Sequence, residues 1–300
     1  MSLFLSQRIK RFCVALAATA LACSAVTFSA ATASADPHRG ADTVFFGDSF
    51  FANPGYKQVA GVRSDLVRAG LSSIEGSGSE AGAPSPQGCP QGKKTVAAEY
   101  GKITGRSVTN YACSAAKADG DSFRKDFDQQ VGGAIANNHL NADTKNVFVQ
   151  FGANDIQEIA VSQFNNDSYR RAMVNNTNRI RQAAPHATIT FVGYPAISAA
   201  NGAMCPVRSA TSSEVGFNMD LLGLVRLGED TINSAMRTAA SAAGANYVDL
   251  RRASIDHNMC APDSIRWVSG ISEKSVTHNL SNHLTHAGVD GVARILSGRS

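Results

Sequence analysis

The chain has 300 residues and a formal net charge of +4, and three of its basic residues (Arg8, Lys10, Arg11) fall within the first 35 positions. Without those 35 residues, 265 remain with a net charge of +1. That length suits one substantial core. It carries no basic run of the kind that nucleic-acid binding needs, so nucleic acid is excluded as a partner.

The first segment reads as an export signal. Its basic residues precede an almost wholly apolar stretch from Phe12 to Phe28, and Ala33-Ser34-Ala35 gives a small-x-small cleavage pattern before Asp36. The expected organisation is a signal peptide over 1–35 and a single catalytic domain over 36–300, secreted or held in the cell envelope. An uncleaved anchor and a lipoprotein acylated at Cys23 are the competing readings.

Beyond the signal, short apolar runs alternate with helix-like segments. Strands are predicted at Thr43–Phe46, Ser107–Tyr111, Asn146–Phe151, Thr188–Val192 and Tyr247–Leu250, each apolar enough to be covered on both faces. Helices are predicted at Thr95–Ile103 (stopped by Gly105), Phe123–Ala136 (N-capped by Asp121), Tyr169–Ala184 (ended by Pro185), Leu221–Ala243 (ended by Gly244) and Ala287–Leu296. This alternation implies an α/β fold with a parallel sheet of about five strands and helices on both faces. Two irregular stretches, Ser72–Lys94 and Ala196–Phe217, exceed ordinary connection lengths and are candidate walls of a site.

Four cysteines follow the signal: Cys89, Cys113, Cys205 and Cys260. An even count in an exported chain reads as two disulfides. Three pairings are open, and sequence order favours Cys89–Cys113 with Cys205–Cys260. No Cys-x-x-Cys spacing suggests zinc.

In such a sheet, the loops at the carboxyl ends of the strands form the site. Ser49 follows the first strand in Gly47-Asp48-Ser49. Cys113-Ser114-Ala115 follows the second, and Gly152-Ala153-Asn154-Asp155 the third. Ester hydrolysis needs a nucleophile, a base and donors for an oxyanion. Ser49 can attack, while its own N–H, the Ala115 N–H and the Asn154 amide can donate. His286 is the candidate base, because it stands where the last helix begins.

Together these blocks resemble the SGNH (GDSL) hydrolase family, and the cysteine layout resembles its secreted actinobacterial members. The resemblance implies a three-layer α/β/α fold and serine-dependent hydrolysis of acyl esters of the esterase or lipase type. It assigns Ser49 as nucleophile, Asn154 as oxyanion donor and His286 as base. Two positions depart from the family pattern. Ala115 stands where the family usually has glycine. His283 stands three residues before His286, where the family usually has aspartate. The resemblance therefore implies a Ser49–His286 dyad, with the His283 main-chain carbonyl as orienter and Asp290 pointing away. Phe50, Phe51, Tyr56 and above all Trp267 are candidate walls of an acyl pocket.

No metal or organic cofactor is expected; a site at His278, His283 and His286 lacks a standard ligand spacing. The expected partner is a small-molecule or lipid acyl ester, with a cell-envelope glycolipid or glycan as a further candidate. Acyl transfer or deacylation on envelope glycans, and a decayed binding protein, are the alternatives to hydrolysis.

Overall fold

The computed structural model describes residues 40–60, 80–120, 125–156, 159, 168–208, 218–271 and 275–299, excluding the side chains of Tyr56 and Ala60. The export signal over 1–35, His38, the expected helix cap Asp121 and the Tyr56 side chain lie outside that description.

Five strands form one parallel sheet: β1 (Thr43–Gly47), β2 (Val108–Asn110), β3 (Asn146–Gln150), β4 (Thr188–Val192) and β5 (Asn246–Val248). Their spatial order is β2-β1-β3-β4-β5. The helices are α1 (Ser49–Ala52), α2 (Tyr56–Ala60), α3 (Val96–Thr104), α4 (Phe127–Ala136), α5 (Ser168–Ala183), α6 (Leu224–Ala243), α7 (Leu250–Ala253) and α8 (His286–Ser297). Helices α3 and α8 pack together, and α4, α5 and α6 form a second contiguous set. The chain winds one way from β1 to β2 and the other way from β3 to β5. Right-handed crossovers therefore put these sets on opposite faces, giving three layers. No described helix is long and apolar enough to cross a membrane.

The core follows from the two-residue period of β1. Phe45 turns to one layer, meeting Tyr100 and Phe148, while Phe46 turns to the other, meeting Tyr111 and Phe127. All five residues of β1 are buried. Each buried phenylalanine contributes roughly 2–3 kcal/mol.

Caps set the helix limits. The Thr95 hydroxyl accepts from Ala98 N, and Gly105, with φ 68°, closes α3. The Asp220 carboxylate takes the Leu224 and Val225 N–H groups at the start of α6. Helix α6 thus begins three residues later than its apolar pattern suggested. Helix α4 begins four residues late, at Phe127 with Asp126 as N-cap. Cys89 is bonded to Cys113 and Cys205 to Cys260. Closing loops of these sequence separations, 24 and 55 residues, stabilises by roughly 3–4 kcal/mol each on the chain-entropy model.

Candidate active site

In this strand order the winding reverses between β1 and β3, the point at which open α/β sheets place a ligand crevice at the carboxyl edge. Ser49 leaves the end of β1 and Asn154 follows β3. Gly47 is fixed by the Gln130 side chain, whose Oε1 accepts from Gly47 N at 3.0 Å and whose Nε2 donates to Gly47 O at 2.9 Å. The chain then turns into α1. Asp48 caps that helix, its carboxylate accepting from Phe50 N at 2.9 Å, so Ser49 occupies the first helical position, half-buried.

The ring facing Ser49 belongs to His283, not His286. His283 Nε2 lies 2.8 Å from Ser49 Oγ, and Nδ1 lies 2.9 Å from the Ser281 carbonyl. A carbonyl can only accept, so Nδ1 carries the proton and Nε2 is free to accept from the serine hydroxyl. Phe50 stacks on the imidazole at 4.7 Å. Burial of the ring pushes the His283 pKa down to about 4; the Ser281 carbonyl opposes that shift and the charge of His278 adds to it. Among the described residues no carboxylate bonds to this histidine.

The expectation for His286 fails because of the helix start. The Thr285 hydroxyl accepts from Gly288 N at 2.9 Å, which makes Thr285 the N-cap and draws His286 into the first turn of α8. There His286 Nε2 bonds Asn279 Oδ1 at 2.9 Å, and Asn279 Nδ2 donates to Asn53 O at 2.6 Å. His286 thus ties the loop carrying His283 to the end of α1. The His283 carbonyl does not orient a base either: it accepts from Ser269 N at 2.9 Å and from Ser269 Oγ at 3.2 Å. Asp290 pairs with Lys94 at 2.5 Å.

Trp267 is also placed differently from expectation. Its ring stacks on His257 at 4.2 Å and fills the space above Gly291, where an added Cβ would sit 2.2 Å from it. The two glycines of α8, Gly288 and Gly291, make this approach possible, so the lone tryptophan is taken up in packing the last helix. Phe51 joins Phe45 in the core. Of the candidate wall aromatics whose side chains are described, only Phe50 is seen against the site.

The two remaining blocks face each other. Asn154 Nδ2 donates to Ala116 O at 3.0 Å, and the buried Asp155 carboxylate accepts from Ala118 N at 3.0 Å. Gly152, at φ 146°, bends the chain out of β3. Ala115 sits at φ 63° in a turn closed by Ala116 N to Cys113 O at 3.2 Å. That is a conformation in which alanine costs about 1–2 kcal/mol relative to its ordinary regions. The glycine usual at this position in the resemblance has its physical reason here.

Tyr194 joins the parts. Its hydroxyl donates to Asp48 Oδ2 and accepts from Ala153 N at 3.1 Å, while its ring meets Phe50 edge-on. Burial raises the Asp48 pKa to about 7, opposed by the bonds from Tyr194 and Phe50 N. The rings of His278, His283 and His286 bond at Val276 O, at Ser281 O with Ser49, and at Asn279. Among the described residues no cluster of three His, Cys, Asp or Glu side chains could hold a metal.

A family model of the GDSL-like lipase/acylhydrolase family matches residues 45–290, a span that contains Ser49, Asn154 and His283. The chain belongs to this family. Two solved structures share the fold of this GDSL-like protein. Phospholipase A1 from Streptomyces albidoflavus NA297 superposes with a TM-score of 0.57 at 18% identity, over 87% of this chain and 100% of that one. An extracellular lipase from Streptomyces rimosus gives 0.54 at 17% identity, over 86% and 99%. No curated protein matches the sequence.

Proposed function

We propose that this GDSL-family protein is an exported serine carboxylester hydrolase that works through a Ser49–His283 dyad. The carrying observation is the 2.8 Å contact of Ser49 Oγ with a histidine whose other nitrogen is engaged by the Ser281 carbonyl. His283 Nε2 takes the hydroxyl proton as Oγ attacks the acyl carbonyl carbon. The oxyanion of the tetrahedral intermediate accepts hydrogen bonds from Ser49 N–H, Ala115 N–H and the second hydrogen of Asn154 Nδ2. The imidazolium then protonates the leaving alkoxide, and the acyl group stays on Oγ. Water, deprotonated by the same Nε2, attacks the acyl-enzyme; collapse releases the carboxylic acid and restores Ser49. Ser281 O holds the tautomer throughout, a positioning role that an aspartate fills in a three-residue triad.

Export is supported by the two disulfides, which persist in oxidising compartments, and by the signal-like character of residues 1–35. The test of the chemistry is Ser49→Ala. Hydrolysis of p-nitrophenyl butyrate should fall to background, and covalent labelling by a fluorophosphonate should vanish with it. A folded Ser49→Ala protein that still turns over ester sinks the mechanism.

A further inference from the structure

The described surface concentrates its apolar exposure in one place. Met219, Leu221, Leu222, Leu224 and Leu227 are each between 63% and 85% exposed, and no other large hydrophobic side chain among the described residues exceeds 49%. They fall within nine consecutive positions at the start of α6. Isolated exposed leucines need no explanation, but five together do.

This ridge is held in place. Asp220 takes two N–H groups of α6 in its carboxylate, Met219 N donates to Met204 O at 2.9 Å, and Arg226 donates to Ala200 O at 2.9 Å. One turn further on, the buried Glu229 carboxylate accepts from Ile197 N, Ser198 N and Ser198 Oγ. The leucines are therefore displayed on a fixed support.

The ridge also adjoins the site. Strand β4 runs parallel to β1 and β3, so the connection after it, and with it the start of α6, emerges at the same carboxyl edge as Ser49 and Asn154. Ile232 is the nearest neighbour of any side chain placed on Gly152, at 3.0 Å. It lies five residues beyond Leu227, roughly 7.5 Å along the helix. The turn carrying Asn154 and the leucine ridge are thus neighbours.

We infer that this ridge docks the protein on the surface of an uncharged or zwitterionic lipid aggregate, so that the ester substrate of the proposed dyad is a lipid taken from that surface. This inference rests on the hydrolase reading and narrows its substrate class. Two observations favour a lipid surface over a second copy of the chain. Five contiguous exposed apolar side chains make a patch at the upper end for a soluble monomer and fall short of the roughly 20–30 residues that each partner gives a standard interface. The leucines also follow one another through a turn into a helix start, a layout suited to shallow insertion among acyl chains. Among the described residues the charged groups alongside include Asp220, spent on capping, and Arg226 with Asp230 at 3.8 Å, which leaves no excess of cations there to select anionic lipid.

Secreted protein carrying Ser49→Ala should cosediment with phosphatidylcholine vesicles. Adding Leu221→Ser, Leu222→Ser or Leu224→Ser should weaken that binding about tenfold each, and the three together at least a hundredfold. On the active background, the triple variant should hydrolyse soluble p-nitrophenyl acetate within twofold of the parent but lose activity on emulsified ester. Failure of the parent to bind vesicles, or unchanged binding by the triple variant, overturns the docking. So does a parent dimer that the triple variant makes monomeric with no change in vesicle binding. Because binding is read on inactive protein, its failure is distinct from failure of the dyad, which shows as soluble-ester hydrolysis that survives Ser49→Ala or His283→Ala.

Discussion

The decisive perturbation is a pair of alanine variants three residues apart, His283→Ala and His286→Ala. The first removes the Nε2 that lies 2.8 Å from Ser49 Oγ, and no other described base bonds to that hydroxyl. A positioned general base contributes about 10²–10⁴-fold, and in serine hydrolases that act as a unit its loss reaches about 10⁶-fold. His283→Ala should therefore lower kcat by about 10³–10⁵-fold with KM within a few-fold. It also removes the Phe50 stack and the donor to Ser281 O, costing about 1–2 kcal/mol of stability. His286→Ala breaks the bond to Asn279, whose other hydrogen bond to Asn53 O remains. It should cost about 1 kcal/mol of stability and less than tenfold in kcat. Steady-state hydrolysis of p-nitrophenyl butyrate, with thermal melts to confirm folding, reads both. If His286→Ala is inactive while His283→Ala retains most of its turnover, the assignment of the base is wrong.

Three further outcomes follow from the same geometry. Ala115→Gly should leave activity intact and change stability between zero and about +1 kcal/mol, because relief at φ 63° is offset by the freer unfolded chain; Ala115→Val should destabilise by more than 2 kcal/mol, as read by urea unfolding. Tyr194→Phe removes the hydroxyl shared by Asp48 and Ala153. It should lower kcat about 10- to 100-fold with little change in KM, beyond a stability loss of about 1–3 kcal/mol. A melt shift with unchanged kcat would reduce Tyr194 to a packing residue. His283 must be neutral to act, and its depressed pKa keeps it neutral until the pH falls to about 4. The acid limb of kcat/KM should therefore lie near pH 4, and Phe50→Ala, which lets water reach the ring, should move it toward the ordinary 6.5. An acid limb at 6.5 in the parent would show that the ring is solvated.

Much of this arrangement could be read from the chain because buried parallel strands are written as near-continuous apolar runs. Thr188–Val192 was expected and found at those bounds, and the other four strands fell within a residue or two. Ser49 and Asn154 were legible for the same reason: each follows directly on such a strand. The histidine that faces Ser49 stands three residues before the one the sequence pointed to. The signal that could have found it was Thr285, whose hydroxyl caps α8 and so removes His286 from the preceding loop. Tyr194 and Phe50 carried no such mark. Tyr194 reaches Asp48 across 146 residues of sequence, and no local pattern encodes a meeting of that kind. Trp267 misled because its placement is decided by Gly288 and Gly291, residues that betray a close approach only once the partner is known.

The proposed dyad, held by a neutral carbonyl, faces a physical difficulty. Ser281 O offers Nδ1 a dipole rather than a charge, and Phe50 keeps water from the ring, so the resting imidazolium is poorly stabilised. A base with a pKa near 4 is a weak match for a serine hydroxyl. The mismatch shrinks only as the reaction proceeds. When the acyl oxygen becomes an anion about 4 Å away, its attraction for the imidazolium is about 4 kcal/mol at an effective dielectric of 20, equal to roughly three pKa units. Stabilisation of the protonated histidine is thus absent in the ground state and present in the transition state, the condition under which binding energy accelerates chemistry. It also moves the burden onto the oxyanion donors. Asn154 is held by Ala116 O, by the Asp155 clasp on Ala118 and by the Gly152 bend. Errors in that loop pairing should therefore weaken the base as well as the oxyanion hole, because the charge that strengthens His283 forms only where Asn154 can receive it.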